Sequence, residues 1–341
     1  MTTTPEAQPE AAGVASPPSD LLAHGHDRLP GVVPVTAEQV AEARQLNLLI
    51  EQFMDQVPSF ATLEGVRELR RQPGMFSGGG DVEVAVEEVP SADGPVPVRI
   101  FEPDGDPAAV VVDLHGGGWC IGAAANGDVT NRNLADGAGV VVVAVDYRLA
   151  PEHPWPAGPD DGELVARWAL DTMADRWGCD QLVLSGNSAG AHLAAVVLLR
   201  LRDAGLADRV VGANLVYGAY DLGMTPSQRQ ADRSLVIPTE TLTSCYRHLL
   251  PGLDREDRRH PDYSPLYADL TGLCPALLTV GTLDPLLDDS LFLAARWQAA
   301  GNEARLDVYP ECPHGFPGFD LELGRMALGR MRDWIAELVT R

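Results

Sequence analysis

The sequence predicts an α/β fold: a mostly parallel sheet with helices on both faces. Two patterns carry this reading. From Ala108 onward, short apolar runs alternate with longer segments of helical period, and ahead of them two runs alternate residue by residue around a turn. Strands that alternate with helices build a parallel sheet covered on both sides. A hairpin ahead of them adds antiparallel strands at its edge.

Residues 1–34 are rich in Ala, Pro and Glu, and read as a disordered tail. The start has no basic residue and no apolar centre, so it is not a secretory signal. Residues 35–75 carry Val40, Leu46, Leu49, Ile50, Phe53 and Met54 near helical spacing, with Pro58 and Pro73 as breaks. This region is expected to form a helical cap segment. The catalytic domain is expected over 76–339. Gly78, Gly79 and Gly80 open it, and Val82, Val84 and Val86 then alternate with polar or small residues. Val96, Val98 and Ile100 do the same beyond a turn at Ala92-Asp93-Gly94. Further strands are expected at 108–114, 140–145, 181–184, 211–217, 276–281 and 306–309. Helices are expected near 127–137, 160–176, 189–203, 286–300 and 320–338. The polar stretch 222–270 interrupts this order and is helix-like from Thr239 to Leu250. A connection of that length has a job, and a second cap segment over the carboxyl edge of the sheet is the expectation.

Composition narrows the function. The net charge is −24, and all 25 basic residues are arginine. Such a field repels phosphate, which argues against nucleic acid as a partner. No apolar run reaches the ~20 residues needed to cross a membrane. Five cysteines, an odd number with no CxxC pair, and no export signal suit a reduced cytoplasmic protein. No ligand spacing for a metal appears, and the His24/His26 pair in the tail reads as unstructured. No cofactor or metal is expected.

The chemistry centres on Ser188. It lies in the G-x-S-x-G of Gly186, Asn187, Ser188, Ala189 and Gly190, between an apolar run and a long apolar helix-like stretch. Strand, sharp turn and helix in that order make a nucleophile elbow. A serine hydroxyl needs a histidine to take its proton and a carboxylate to hold that histidine. His314 is the expected base and Asp284, just past a strand, the expected acid. Asp288 and Asp289 compete with Asp284 but fall in the first turn of the next helix, where they favour its dipole. His115-Gly116-Gly117-Gly118 follows another strand. The backbone N–H groups of Gly117, Gly118 and Ala189 are the expected donors to an oxyanion. A phosphate-cradling loop is the weaker reading, since the chain has no lysine. Trp119 and Phe316 flank these motifs and serve either as pocket or as core. Asn187 beside the nucleophile is a further pocket candidate. Cys120 reads as structural. His153 lies in a Pro-rich turn, His192 packs beside or faces out of the nucleophile helix, and His248 and His260 fall in the cap.

These stretches together resemble the hormone-sensitive lipase family of α/β-hydrolases, the bacterial carboxylesterases marked by HGGG. The resemblance rests on HGGGW (115–119), DYRLAPEHPWPA (146–157), GNSAG (186–190), DPLLDD (284–289) and HGF (314–316). It implies an α/β-hydrolase fold with an eight-stranded sheet and a helical cap, and a serine esterase for short- to medium-chain esters. Ser188, Asp284 and His314 map to its triad, and Gly117, Gly118 and Ala189 to its oxyanion hole. Tyr147, Arg148 and Glu152 map to a loop that shapes the wall beside the elbow. Two departures stand out: Asn187 where the family usually has Asp, and Ala191 where it usually has Gly. A deacylase or amidase for an acylated specialised metabolite uses the same triad and stays open. So does a non-catalytic ligand-binding module, although retention of His314 argues against it. The last strand and last helix offer a surface for a homodimer.

Overall fold

The computed structural model describes residues 29–72, 82–230 and 235–340. The tail through residue 28 with His24 and His26, the break at Pro73, and the Gly78, Gly79 and Gly80 run lie outside the described residues. The remainder is an α/β fold built on one eight-stranded sheet. In chain order its strands are β1 Ala85–Val89, β2 Val96–Phe101, β3 Val110–Leu114, β4 Val141–Val145, β5 Leu182–Asn187, β6 Val210–Val216, β7 Ala276–Gly281 and β8 Ala304–Tyr309. In space the order is β1-β2-β4-β3-β5-β6-β7-β8. The hairpin β1–β2 and the β2–β4 pair are antiparallel, and every later pair is parallel. Val82 and Val84 precede β1 rather than forming its start.

The strand sequences explain both faces of the sheet. On β3, Val110, Val112 and Leu114 enter one core, while Val111 enters the other; β4 splits its valines the same way. This is the period-two alternation of a strand buried on both sides. Helices α4 Ala157–Trp177 and α5 Ala189–Asp203 cover the first face, and α3 Asp128–Ala138 and α8 Glu322–Val339 cover the second. Between β7 and β8 runs α7 Leu287–Ala299.

The expected N-terminal helical stretch is two helices, α1 Ala37–Phe53 and α2 Leu63–Arg70. Thr36 and Gln39 form a capping box at the first, and Thr62 caps the second. Within the segment grouped with the tail, Gly31 to Val33 lies beside β8. Val33 donates to the Val308 carbonyl and Val308 to the Gly31 carbonyl, each at 2.9 Å. Helix α2 packs Val66 and Leu69 against Cys120, Ile121 and Ala150, a small core joining the cap to the loop after β3. The stretch after β6 supplies α6 Thr239–Leu249, whose Cys245, Tyr246 and Leu249 join the first core. No helix among the described residues is long and apolar enough to cross a membrane.

Candidate active site

Ser188 follows β5 directly and opens α5, with φ 55° and ψ −120°. Such a conformation is strained for a residue with a side chain, and strained backbone collects at functional sites. The turn exists because its flanks are glycine. A Cβ on Gly190 would lie 1.8 Å from the Leu114 carbonyl oxygen, and one on Gly186 would lie 2.5 Å from the Gly190 backbone. The elbow is thereby pressed against the end of β3, where the HGGG loop begins.

The tertiary fold brings the three distant residues together. His314 Nε2 is 2.9 Å from Ser188 Oγ, and His314 Nδ1 is 2.8 Å from Asp284 Oδ2. Asp284 and His314 are both buried. The other Asp284 oxygen accepts the N–H of Leu286, the N-cap of α7, at 2.8 Å, which anchors the carboxylate with its second oxygen on the histidine. Edge-on to His314, at 4.8 Å, stands the Tyr217 ring. The competing acids point elsewhere. Asp288 accepts the Ser227 N–H at 2.9 Å. Asp289 is fully buried and accepts from the Tyr220 and Asp221 N–H groups, the Thr225 hydroxyl and the Gln228 amide, all within 2.7–2.8 Å. Its role therefore exceeds the helix dipole: it ties the exit of β6 and the single turn Pro226–Arg229 to α7.

Beyond β3 the chain reverses through positive φ at Gly117 (119°), Gly118 (58°) and Trp119 (59°). A Cβ on Gly117 would sit 2.1 Å from the Ile121 carbonyl oxygen, so only glycine fits. The expected wall loop holds this turn. The Tyr147 hydroxyl donates to the His115 carbonyl at 2.7 Å, and its ring stacks on the His115 ring at 4.2 Å. Arg148 grips the buried Asp161 through paired hydrogen bonds. From the cap, Arg70 donates to the Cys120 and Ala150 carbonyls and pairs with Glu152 at 3.0 Å, which holds that carboxyl below its usual range.

The three pocket candidates fare differently. Phe316 does not join the site: it is fully buried in the second core, its ring 5.0 Å from that of Tyr309. Trp119 is also buried, and its indole N–H donates to His192 Nδ1 at 3.2 Å. Asn187 is committed to a protein partner, accepting the Gly116 N–H at 3.0 Å.

His192 is a part the sequence leaves ambiguous. It is wholly buried and bonds both Trp119 and, through Nε2, the Tyr263 carbonyl at 2.8 Å. With Nδ1 accepting and Nε2–H donating, its tautomer is set. Burial pushes its pKa down to about 4, so it stays neutral. It thus links the loop after β3, α5 and the cap. A histidine one turn into an apolar helix is the only sequence signal for it.

The alpha/beta hydrolase fold family matches residues 111–318, which hold Ser188, Asp284, His314 and the HGGG turn. The chain belongs to the α/β-hydrolase family. This hydrolase is 33% identical over 296 residues to the carboxylesterase NlhH of Mycobacterium tuberculosis, covering 80% of this chain and 89% of that one. It is 35% identical over 206 residues to an acetyl-hydrolase of Streptomyces hygroscopicus, covering 59% and 66%. Among solved structures, the esterase of Pyrobaculum calidifontis superposes with a TM-score of 0.77 at 30% identity, over 86% of this chain and 99% of that one. Carboxylesterases and esterases recur throughout these relatives, and this hydrolase is likewise a serine-dependent carboxylic ester hydrolase.

Proposed function

We propose that this hydrolase is a carboxylesterase of the hormone-sensitive lipase type that cleaves short- to medium-chain esters through an acyl-enzyme. The observation that carries the reading is the unbroken chain Ser188 Oγ–His314–Asp284, at 2.9 and 2.8 Å, beside the HGGG turn. His314 Nε2 takes the Ser188 proton as Oγ attacks the ester carbonyl. Asp284 holds the Nδ1–H and stabilises the imidazolium that forms. Negative charge on the carbonyl oxygen is met by the N–H groups of Gly117, Gly118 and Ala189, the last at the start of α5 where the helix dipole adds to it. His314 then gives its proton to the departing alcohol, and water releases the acid by the reverse steps.

The acyl size follows from how closely the cap sits. A Cβ placed on Gly118 would lie 2.6 Å from Cys245 Sγ and 3.7 Å from the Phe60 ring. Cap residues therefore stand directly over the turn, which favours small acyl groups. The likeness to an acetyl-hydrolase fits a second reading, removal of a small acyl group from a specialised metabolite.

Nitrophenyl esters of two to sixteen acyl carbons test this. Hydrolysis is expected to peak at short chains, and Ser188→Ala is expected to lose at least ~10⁴-fold in kcat. A wild-type rate in Ser188→Ala, or a maximum at the longest chains, overturns the proposal. Faster cleavage of matched anilides or O-acetyl sugars than of simple esters selects the second reading.

A further inference from the structure

We infer that Asn187 is a positioning residue for the oxyanion turn, and that its neutrality is part of its function. The inference rests on the triad and oxyanion reading above. Asn187 is the last residue of β5, next to Ser188. Its Oδ1 accepts the N–H of Gly116, the residue directly ahead of Gly117 and Gly118, at 3.0 Å. The Tyr217 ring stands edge-on to His314 at 4.8 Å. One amide thus braces the start of the oxyanion turn from the residue beside the nucleophile.

The space around it is tight. A Cβ on Gly116 would fall 2.7 Å from Asn187 Nδ2 and 3.3 Å from Ser188 Cβ. Asn187 has no freedom to swing into a substrate without releasing the turn. The amide oxygen accepts the Gly116 N–H without carrying a charge. A carboxylate can accept it too. At this position it also adds a negative charge beside the oxygen that becomes an oxyanion and beside an imidazole that becomes a cation. The titratable groups around it are His314, Asp284 and Tyr217 on the β6–β7 side, and Asp113 and His115 on β3 and its loop. The two acids already place negative charge near Tyr217, and a third tilts the same balance further.

Three variants, Asn187→Ala, Asn187→Asp and Ser188→Ala, are assayed with nitrophenyl butyrate across pH. Asn187→Ala releases the turn, and kcat is expected to fall about 10- to 100-fold with KM within about threefold. Asn187→Asp keeps an acceptor for Gly116. It is expected to recover part of the lost kcat, while the acid limb of kcat/KM moves up by about half a pH unit or more, since added negative charge favours protonated His314. Asn187→Ala with full kcat, or with a raised KM alone, overturns the inference, as does an acid limb in Asn187→Asp that matches the wild type. If Asn187→Ala fails to fold, the Asn187→Asp profile decides. Full activity in Ser188→Ala instead sinks the underlying triad reading.

Discussion

Ser188 shows how much a single position is set by its neighbours. Its φ of 55° persists because Gly186 and Gly190 let β5, α5 and the end of β3 meet at backbone distance. Gly190→Ala is expected to push α5 off the Leu114 carbonyl. The measurable outcomes are a stability loss of about 3 kcal/mol or more in urea unfolding and a fall in kcat beyond tenfold. Glycines here were legible because the motif names them. The aromatic neighbours were not. Trp119 and Phe316 each adjoin a motif and are large and apolar, and such a residue suits a pocket wall as well as a core. Packing decided: Phe316 lies against Tyr309 and Trp119 against His192. Asn187 shows the same limit, since its partner Gly116 is 71 residues away along the chain.

Among the elements, the helices and strands of the sheet were readable because each carries its own period. Their ends moved by a few residues, as at β5, which continues from Leu184 to Asn187 through the start of the motif. Small polar residues there looked like turn, yet the ladders to β3 and β6 hold them extended. The cap is different. Helix α2 is short, and its place depends on Leu69, 1% exposed, and on Arg70 reaching the Cys120 and Ala150 carbonyls. An isolated helix of that length is marginal in water, so tertiary contact must hold it. Leu69→Ala is expected to remove about 2–4 kcal/mol of packing locally. Amides of 63–70 should then exchange with deuterium faster, and KM for short esters should rise more than kcat falls. Unchanged exchange in α2 would show that the helix does not depend on this contact.

Across the whole molecule, two buried titratable groups oppose each other. His192 is held down to about 4 by burial, below its ordinary 6.5. The unfolded chain therefore takes up that proton first, and the stability His192 contributes is present above pH 6.5 and lost as pH falls towards 4. Burial pushes Asp289 up to about 7 from 3.8, against its four donors. Its contribution is present below pH 3.8 and lost as pH rises through 7. Between pH 7 and 5 each changes stability by about 2 kcal/mol, in opposite directions. The two effects therefore mask each other in the native chain. Urea unfolding at pH 5 and 7 should uncover it: His192→Asn gains stability relative to wild type on acidification, and Asp289→Asn loses it. Identical slopes in all three proteins would contradict the balance. Both groups lie at junctions with the cap segment, His192 through Tyr263 and Asp289 through Thr225 and Gln228.

Periodicity and local motif chemistry were enough to place the parallel sheet, its antiparallel edge, the elbow, and the order of Ser188, Asp284 and His314. These are properties of residues close in sequence, and hydrophobic spacing or turn stereochemistry encodes them directly. The partners of Asp288 and Asp289, the burial of Phe316 and Trp119, the docking of α2, and the partners of Asn187 and His192 came only with the fold. Each depends on which groups far apart in the chain share a dry interior. There, every buried donor and acceptor must find a partner, and the arrangement that satisfies them all is a property of the packed molecule.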